Sequence, residues 1–348
     1  MKTSFIKSVV LAGFVMCLLA CQNKVDIVNA PTQLLSIDSI PDIKHLTDIR
    51  FHNNDVLLTY ESRGSYGQQF VRQYVYDNKK AELKYKRSLF RNDNGQYDFY
   101  IPILFSDNKN DLFVVDREMP TVYKVSDEGQ AITTGDVVIS RESKTPYPIV
   151  MDARQVFQKS LREYLFVGRE PNGGAQSLFL SKNEDDSVCI TEISKIIYNP
   201  DQPSWITNFG KLAYNDNDQI GVFAFQMYPV IQYINLQTGE KSSFRLSNTI
   251  QSELITDGAD IWEQNPVYFR DITSNSKYIY ALYWGKTFQD AGEEQAEGKG
   301  FSQIYKFDWD WKLKQVYNIN KCLNNICIDN TGNSIIGFDG YRFYSIGF

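Results

Sequence analysis

Histidine is nearly absent from this chain: only His45 and His52 occur in 348 residues. That scarcity excludes His-rich metal centres and most acid–base chemistry routed through imidazole. Four familiar motifs are also missing: a Gly-rich phosphate cradle, Gly-x-Ser-x-Gly, Cys-x-x-Cys and a calcium loop of alternating acids. A net charge of −6 gives no general attraction to nucleic acid or anionic lipid. No Gly, Ser and Pro-rich stretch divides the chain into separate units. Cysteine is sparse, at 5 residues, of which Cys17 and Cys21 lie close to the N-terminus. Of the other three, Cys189 lies in the apolar run 187–193 and reads as a small buried residue. Cys322 and Cys327 have either a disulfide or two thiols open to them, since sequence does not fix their separation.

Long hydrophobic runs are limited to one, from Ser8 to Ala20, which is too short for a membrane-spanning helix. Lys2 and Lys7 precede it, and it ends Leu18-Leu19-Ala20-Cys21. A charged start, an apolar centre and this ending form an export signal that resembles a bacterial lipobox. The expected organisation is a signal peptide at 1–20, a lipidated tether at 21–32 beginning with acylated Cys21, and one folded body at 33–348. Acyl chains on Cys21 would attach the mature protein to a membrane. Gln22 suits outer-membrane delivery; whether the body faces the periplasm or the cell surface stays open.

What the chain does have is aromatic and β-branched residues in short runs. It carries 22 Tyr and 22 Phe, and 43% of its residues are hydrophobic, enough for a large core of β structure. Residues 100–139 set the pattern, with four strand-length apolar runs separated by turn residues at 107–110 and 126–129. Such meanders recur with first turns near Asn53, Asn108, Lys159, Asp216, Asn275 and Thr331, a spacing of about 55 residues that suits propeller blades. Five meanders are complete, and the sixth has only three strands. A lone strand at Gln33–Ile40 supplies the fourth and closes the ring. The fold class is therefore all-β: a six-bladed propeller of four-stranded antiparallel blades, closed by an N-terminal strand. A pair of β-sandwiches is the alternative.

The lipobox, the lone first strand, the six degenerate meanders and the run Tyr278-Ile279-Tyr280-Ala281-Leu282-Tyr283-Trp284-Gly285-Lys286 resemble the TolB-like six-bladed propeller lipoproteins of Bacteroides-type bacteria. The resemblance implies a cell-envelope lipoprotein with this fold. It implies no established reaction and no catalytic residues.

In a propeller, the loops between second and third strands and the links between blades share one face. Here those segments are long, and the turns of the opposite face are short and polar. Long loops on a rigid ring commonly carry binding residues. On this face the aromatics Tyr66, Tyr147, Trp205, Trp262 and Trp284 are candidates to stack on a sugar or peptide, or else pack the loops onto the blades. Arg63, Arg117, Arg169 and Lys286 could form a basic collar around the mouth, or ordinary surface ion pairs. First strands line the channel and offer Asp48, Arg50, Asp152, Arg154, Arg270 and Asp271. These either hold a polar ligand or satisfy one another. Trp309 and Trp311 read as structural, and 292–300 as a solvated acidic loop.

The expected function is a lipid-anchored binding module for a peptide, a glycan or an envelope protein. The alternative is a carbohydrate hydrolase or lyase using channel carboxylates. No metal, cofactor or nucleic acid is expected.

Overall fold

The computed structural model describes residues 25–38, 46–60, 71–90, 99, 101–107, 109–116, 121–138, 155–169, 176–185, 187–202, 206–246, 254–255, 261–329 and 332–347. Its strands form six sheets arranged as propeller blades. Blade 1 holds β4 (Leu46–His52), β5 (Asp55–Tyr60), β6 (Val71–Asp77) and β7 (Glu82–Leu89). Blade 2 holds β8 (Pro102–Ser106), β9 (Leu112–Asp116), β10 (Thr121–Val125) and β11 (Ala131–Val137). Blade 3 holds β12 (Val156–Ser160), β13 (Glu163–Arg169), β14 (Gln176–Glu184) and β15 (Ser187–Ile196). Blade 4 holds β16 (Gly210–Asn215), β17 (Ile220–Phe225), β18 (Val230–Asn235) and β19 (Lys241–Arg245). Blade 5 holds β20 (Val267–Ser274), β21 (Tyr278–Lys286), β22 (Ser302–Asp308) and β23 (Leu313–Ile319). Blade 6 has β24 (Asn325–Ile328), β25 (Ile335–Phe338) and β26 (Phe343–Ile346) from the C-terminal end.

Why these runs form blades is plain from β9. Its side chains alternate between faces, as a strand requires. Leu112 and Val114 join the core shared with blade 1. Phe113 and Val115 join the core shared with blade 3. A strand buried on both faces needs apolar residues at every position, and β9 has them up to Asp116. The same division gives one core at each of the six blade interfaces. A sandwich pair would have two cores. The short turns carry the residues their backbone needs: Asn53 and Asn110 adopt φ of 56° and 66°, a left-handed conformation Asn tolerates better than most residues.

The N-terminus is more extensively built in than the sequence reading expects. Three short strands occur, β1 (Asp26–Asn29), β2 (Thr32–Leu34) and β3 (Ser36–Ile37). β2 is the fourth strand of blade 6, antiparallel to β26. β1 adds a parallel fifth strand to blade 5 beside β23, and β3 does so to blade 1 beside β7. The closing segment thus laces three blades, with Ala30 in the core between blades 5 and 6 and Leu35 in the core between blades 6 and 1. Residues 26–32, expected in the tether, are part of this lacing. The expected single strand from Gln33 divides at Leu35, and its last residues, 39–40, lie outside the described residues.

Of the two states open to Cys322 and Cys327, the structure has free thiols, buried in separate clusters. Two further expectations are corrected. Cys189 is exposed, because its side of β15, with Ser187 and Thr191, faces outward. Of the acidic segment 292–300, residues 292–296 belong to a helix, Phe288–Ala296, rather than a loop, and 297–299 are exposed. Thr287 caps it: its hydroxyl accepts from the Asp290 amide, and the Asp290 carboxylate accepts from the Thr287 amide, a reciprocal cap that satisfies two orphan donors.

Candidate functional site

The six first strands surround a central cavity of about 610 Å3. Its wall carries five charged side chains among the described residues: Asp48 and Arg50 from β4, Lys211 from β16, and Arg270 and Asp271 from β20. Four of these were candidates from sequence; Asp152 and Arg154 lie outside the described residues. Lys211 was missed, although a lone charge in the apolar strand Gly210–Asn215 is the same signal that singled out Asp48 and Asp271.

Asp271 is a structural tie. Its side chain is 4% exposed, and Lys211 Nζ lies 2.6 Å from its Oδ1. The same oxygen accepts from the Ile272 amide at 2.9 Å, and Oδ2 accepts from the Ile326 amide at 2.8 Å. One carboxylate therefore joins blades 4, 5 and 6 at the channel wall. Gln155 does the same between blades 3 and 4. It accepts from the Leu212 amide and donates to the Leu212 carbonyl. Buried polar groups paired in this way specify one arrangement of their elements.

Asp48 is different. Arg50 lies at a long 3.9 Å from it, and 37% of its side chain is exposed to the channel space. Its position deep in the channel, away from bulk water, pushes its carboxyl above the usual Asp range, against the lowering influence of Lys211 and Arg50. Cys327 on the same wall is buried, and that burial raises its thiol well above the ordinary value; it is a core residue rather than a nucleophile. At the short-turn end, His52 Nδ1 lies 3.3 Å from Ser106 Oγ. Burial lowers the His52 pKa.

Arg270 owes its position to irregular pairing. Along β20 the register runs Phe269 to Tyr283 and then Asp271 to Leu282, so Arg270 is an extra residue with no partner on β21. Bulges of this kind re-aim a side chain. In the preceding step Trp284 and Gly285 of β21 together oppose Tyr268, so β21 carries one extra residue there. Gly285 has φ +68°, where a Cβ would meet the Tyr283 hydroxyl oxygen at 2.4 Å. The Arg270 guanidinium carbon lies 5.5 Å from the Trp284 ring centre and 5.4 Å from that of Phe288.

The candidate aromatic face changes accordingly. Trp284 is 6% exposed, packed with Val267, Ala291, Cys322 and Phe288, and its indole N–H donates to the Leu323 carbonyl. It is therefore not available to stack on a ligand. The reason is the helix 288–296, which covers it. Lys286 is tied to Glu294 of that helix and donates to the Phe301 carbonyl, so it is not a free collar cation. Tyr66, Tyr147, Trp205, Arg63 and Arg117 lie outside the described residues. For Trp262 and Arg169, only the backbone is described: Trp262 lies in a short helical turn, Ile261–Gln264, and Arg169 ends β13. Trp309 donates its N–H to the Asn275 carbonyl at 3.0 Å, and Trp311 stacks on Phe307 with ring centres 5.4 Å apart. Among the described residues, no three His, Cys, Asp or Glu side chains converge as a metal site would require.

Closed six-fold architecture, a channel walled by first strands and an N-terminal closing strand define a six-bladed β-propeller. Residues 47–331 match the family described as TolB-like 6-blade propeller-like, and the chain belongs to that family. No curated protein is significantly similar to it. Among solved structures, a member of the DUF4221 family from Bacteroides vulgatus superposes with a TM-score of 0.58 at 11% identity, covering 94% of this chain and 98% of that one. A virginiamycin B lyase from Staphylococcus aureus superposes at 0.50 with 12% identity, covering 92% and 100%. A gluconolactonase from Xanthomonas campestris superposes at 0.49 with 10% identity, covering 91% and 89%. At these identities the likeness is one of fold.

Proposed function

We propose that this protein is a lipid-anchored binding module of the bacterial cell envelope, attached through acylated Cys21, that takes a small polar ligand at the channel rather than catalysing a reaction. The partner classes remain a glycan, a peptide or a segment of an envelope protein that presents such a group. The observation that carries this reading is the engagement of Asp271. Its two oxygens accept three donors from blades 4, 5 and 6. That occupancy removes it from the paired-carboxylate chemistry a glycosidase needs and leaves the wall rigid, as a preformed ligand site requires.

A second reading rests on Asp48. A carboxyl held above its usual range by burial is what a general acid needs near neutral pH, so a hydrolase or lyase working through Asp48 is the alternative. One comparison separates the two. The full chain and its Asp48→Asn variant are incubated with a panel of chromogenic glycosides and lactones, and binding is followed by calorimetry. The binding reading expects saturable heats without turnover by either protein. Turnover by the wild type that Asp48→Asn abolishes supports the enzyme reading instead. Intact-mass analysis of the membrane fraction checks the address, with an acylated Cys21 N-terminus expected. A soluble form cleaved elsewhere contradicts it.

A further inference from the structure

We propose that Arg270 is the anchor of an anion subsite in the channel, which takes a small ligand through its carboxylate or phosphate group. This deepens the binding reading above and rests on it.

The argument begins with what the other cations do. Arg162 pairs with Asp136 and Asp185, Lys86 with Asp55, and Lys211 with Asp271. Among the described residues no carboxylate pairs with the Arg270 guanidinium. Its Nε is buried with no hydrogen-bond partner. Leaving a donor of a charged group buried and unsatisfied is costly, and native structures rarely keep such a group without a use for it. Asp271, next in sequence, does not meet the need, because its oxygens are taken by Lys211 and two backbone amides.

The placement is also specific. The bulge in β20 turns Arg270 out of the ladder, and the residue lines the 610 Å3 cavity. Trp284 and Phe288 flank the guanidinium, and Trp284 is itself pinned to the Leu323 carbonyl. Aromatic faces hold a guanidinium plane while leaving its edge donors free. That edge is the part that recognises planar or tetrahedral oxyanions, often through two parallel bonds. Charge in the cavity points the same way: Arg50, Lys211 and Arg270 stand against Asp48 and Asp271. Burial lowers the Arg270 pKa, so the charged form gains when an anion joins it.

Isothermal titration of the full chain in detergent, with glucuronate, inorganic phosphate and glucose as probes, tests the assignment. The wild type should bind at least one anion, and bind glucose about tenfold or more weakly. The glucuronate and phosphate arms distinguish a carboxylate from a phosphate preference. Arg270→Met keeps the length and apolar contacts of the side chain and should weaken anion binding about tenfold or more. Its ligand-free melting temperature should be unchanged or higher, because an unpaired buried charge has been removed. Arg270→Lys, which keeps the charge, should retain part of the affinity, and it stands in if the Met variant does not fold. A wild type that binds neither anion overturns the proposal. So does an Arg270→Met variant that binds anions as the wild type does, or one that melts lower with anion affinity intact. Equal affinity for glucose and glucuronate, insensitive to Arg270, overturns the anion subsite while leaving the channel-binding reading standing.

Discussion

Among the described residues, Asp48 and Arg270 have charges that their protein neighbours leave poorly satisfied. For Asp48 this has a measurable sign. Burial raises its folded-state pKa above the model-peptide value of 3.8. Between that value and the folded pKa the native state holds the proton more tightly than the unfolded chain does. Stability therefore falls as pH rises through this window, and the penalty is complete above the folded pKa. Asp48→Asn removes the penalty, so the variant should be more stable than the wild type at neutral pH. Its advantage should shrink as pH falls toward about 4, as read by urea denaturation at several pH values. A constant difference, or one that grows on acidification, contradicts this. Residue types on the channel wall were legible in sequence, because a charge inside an apolar first strand is conspicuous. Their roles were not. Asp271 looked like a ligand group and is a tie between blades, since its partners Lys211 and Ile326 lie far from it in sequence. Trp284 looked like a presented aromatic and is buried, because the helix 288–296 returns over it.

The strands were legible for a simple reason. Inner blade strands such as β9 and β17 are buried on both faces, so apolar runs bounded by Asn, Asp and Gly mark their limits closely. The runs 220–225 and 230–235 match β17 and β18 residue for residue. Short edge strands carry no such pattern. β1 is exposed along its whole length and is held by backbone pairing to β23, which side-chain periodicity does not report. The helix after Thr287 was missed although Thr287 and Asp290 have the spacing of a cap; the polar composition of 292–300 and its glycines at 292, 298 and 300 read as loop. The lacing corrects one expectation with a consequence for stability. Deleting residues 26–30 removes the β1 ladder and the bond from the Ala30 amide to the Asn318 carbonyl. With each hydrogen bond contributing roughly 0.5–1.5 kcal/mol, the loss should be on the order of a few kcal/mol. Deleting 26–38 should cost more, because β2 and Leu35 leave blade 6 and its core with blade 1. Thermal melts should rank wild type above the shorter deletion and the shorter above the longer. Equal melting temperatures for the two deletions contradict closure by this segment.

At the scale of the whole molecule, six cores lie between neighbouring blades, and the lacing sets where the proposed acyl anchor would meet the ring. β1 runs parallel to β23 with Asp26 opposite Gln315, so the chain joins the outer edge of blade 5 beside the short turn that leads into β23. From Cys21 to Asp26 is five residue steps, which reach at most about 18 Å when extended. The proposed anchor, at that length and at the rim of blade 5, would leave the channel mouth on the long-loop side uncovered, as the proposed binding function requires. Fluorescence quenching by a lipid-borne acceptor tests this most directly. The acylated protein is reconstituted in liposomes, with exposed Cys189 replaced by Ser and a single label at Lys312→Cys, beside β23, or at Ala296→Cys, on the helix of the long-loop face. Cys322 and Cys327 are buried and should not react. The account predicts strong quenching at 312 and weak quenching at 296. Stronger quenching at 296 than at 312 would place the long-loop mouth against the membrane and contradict it.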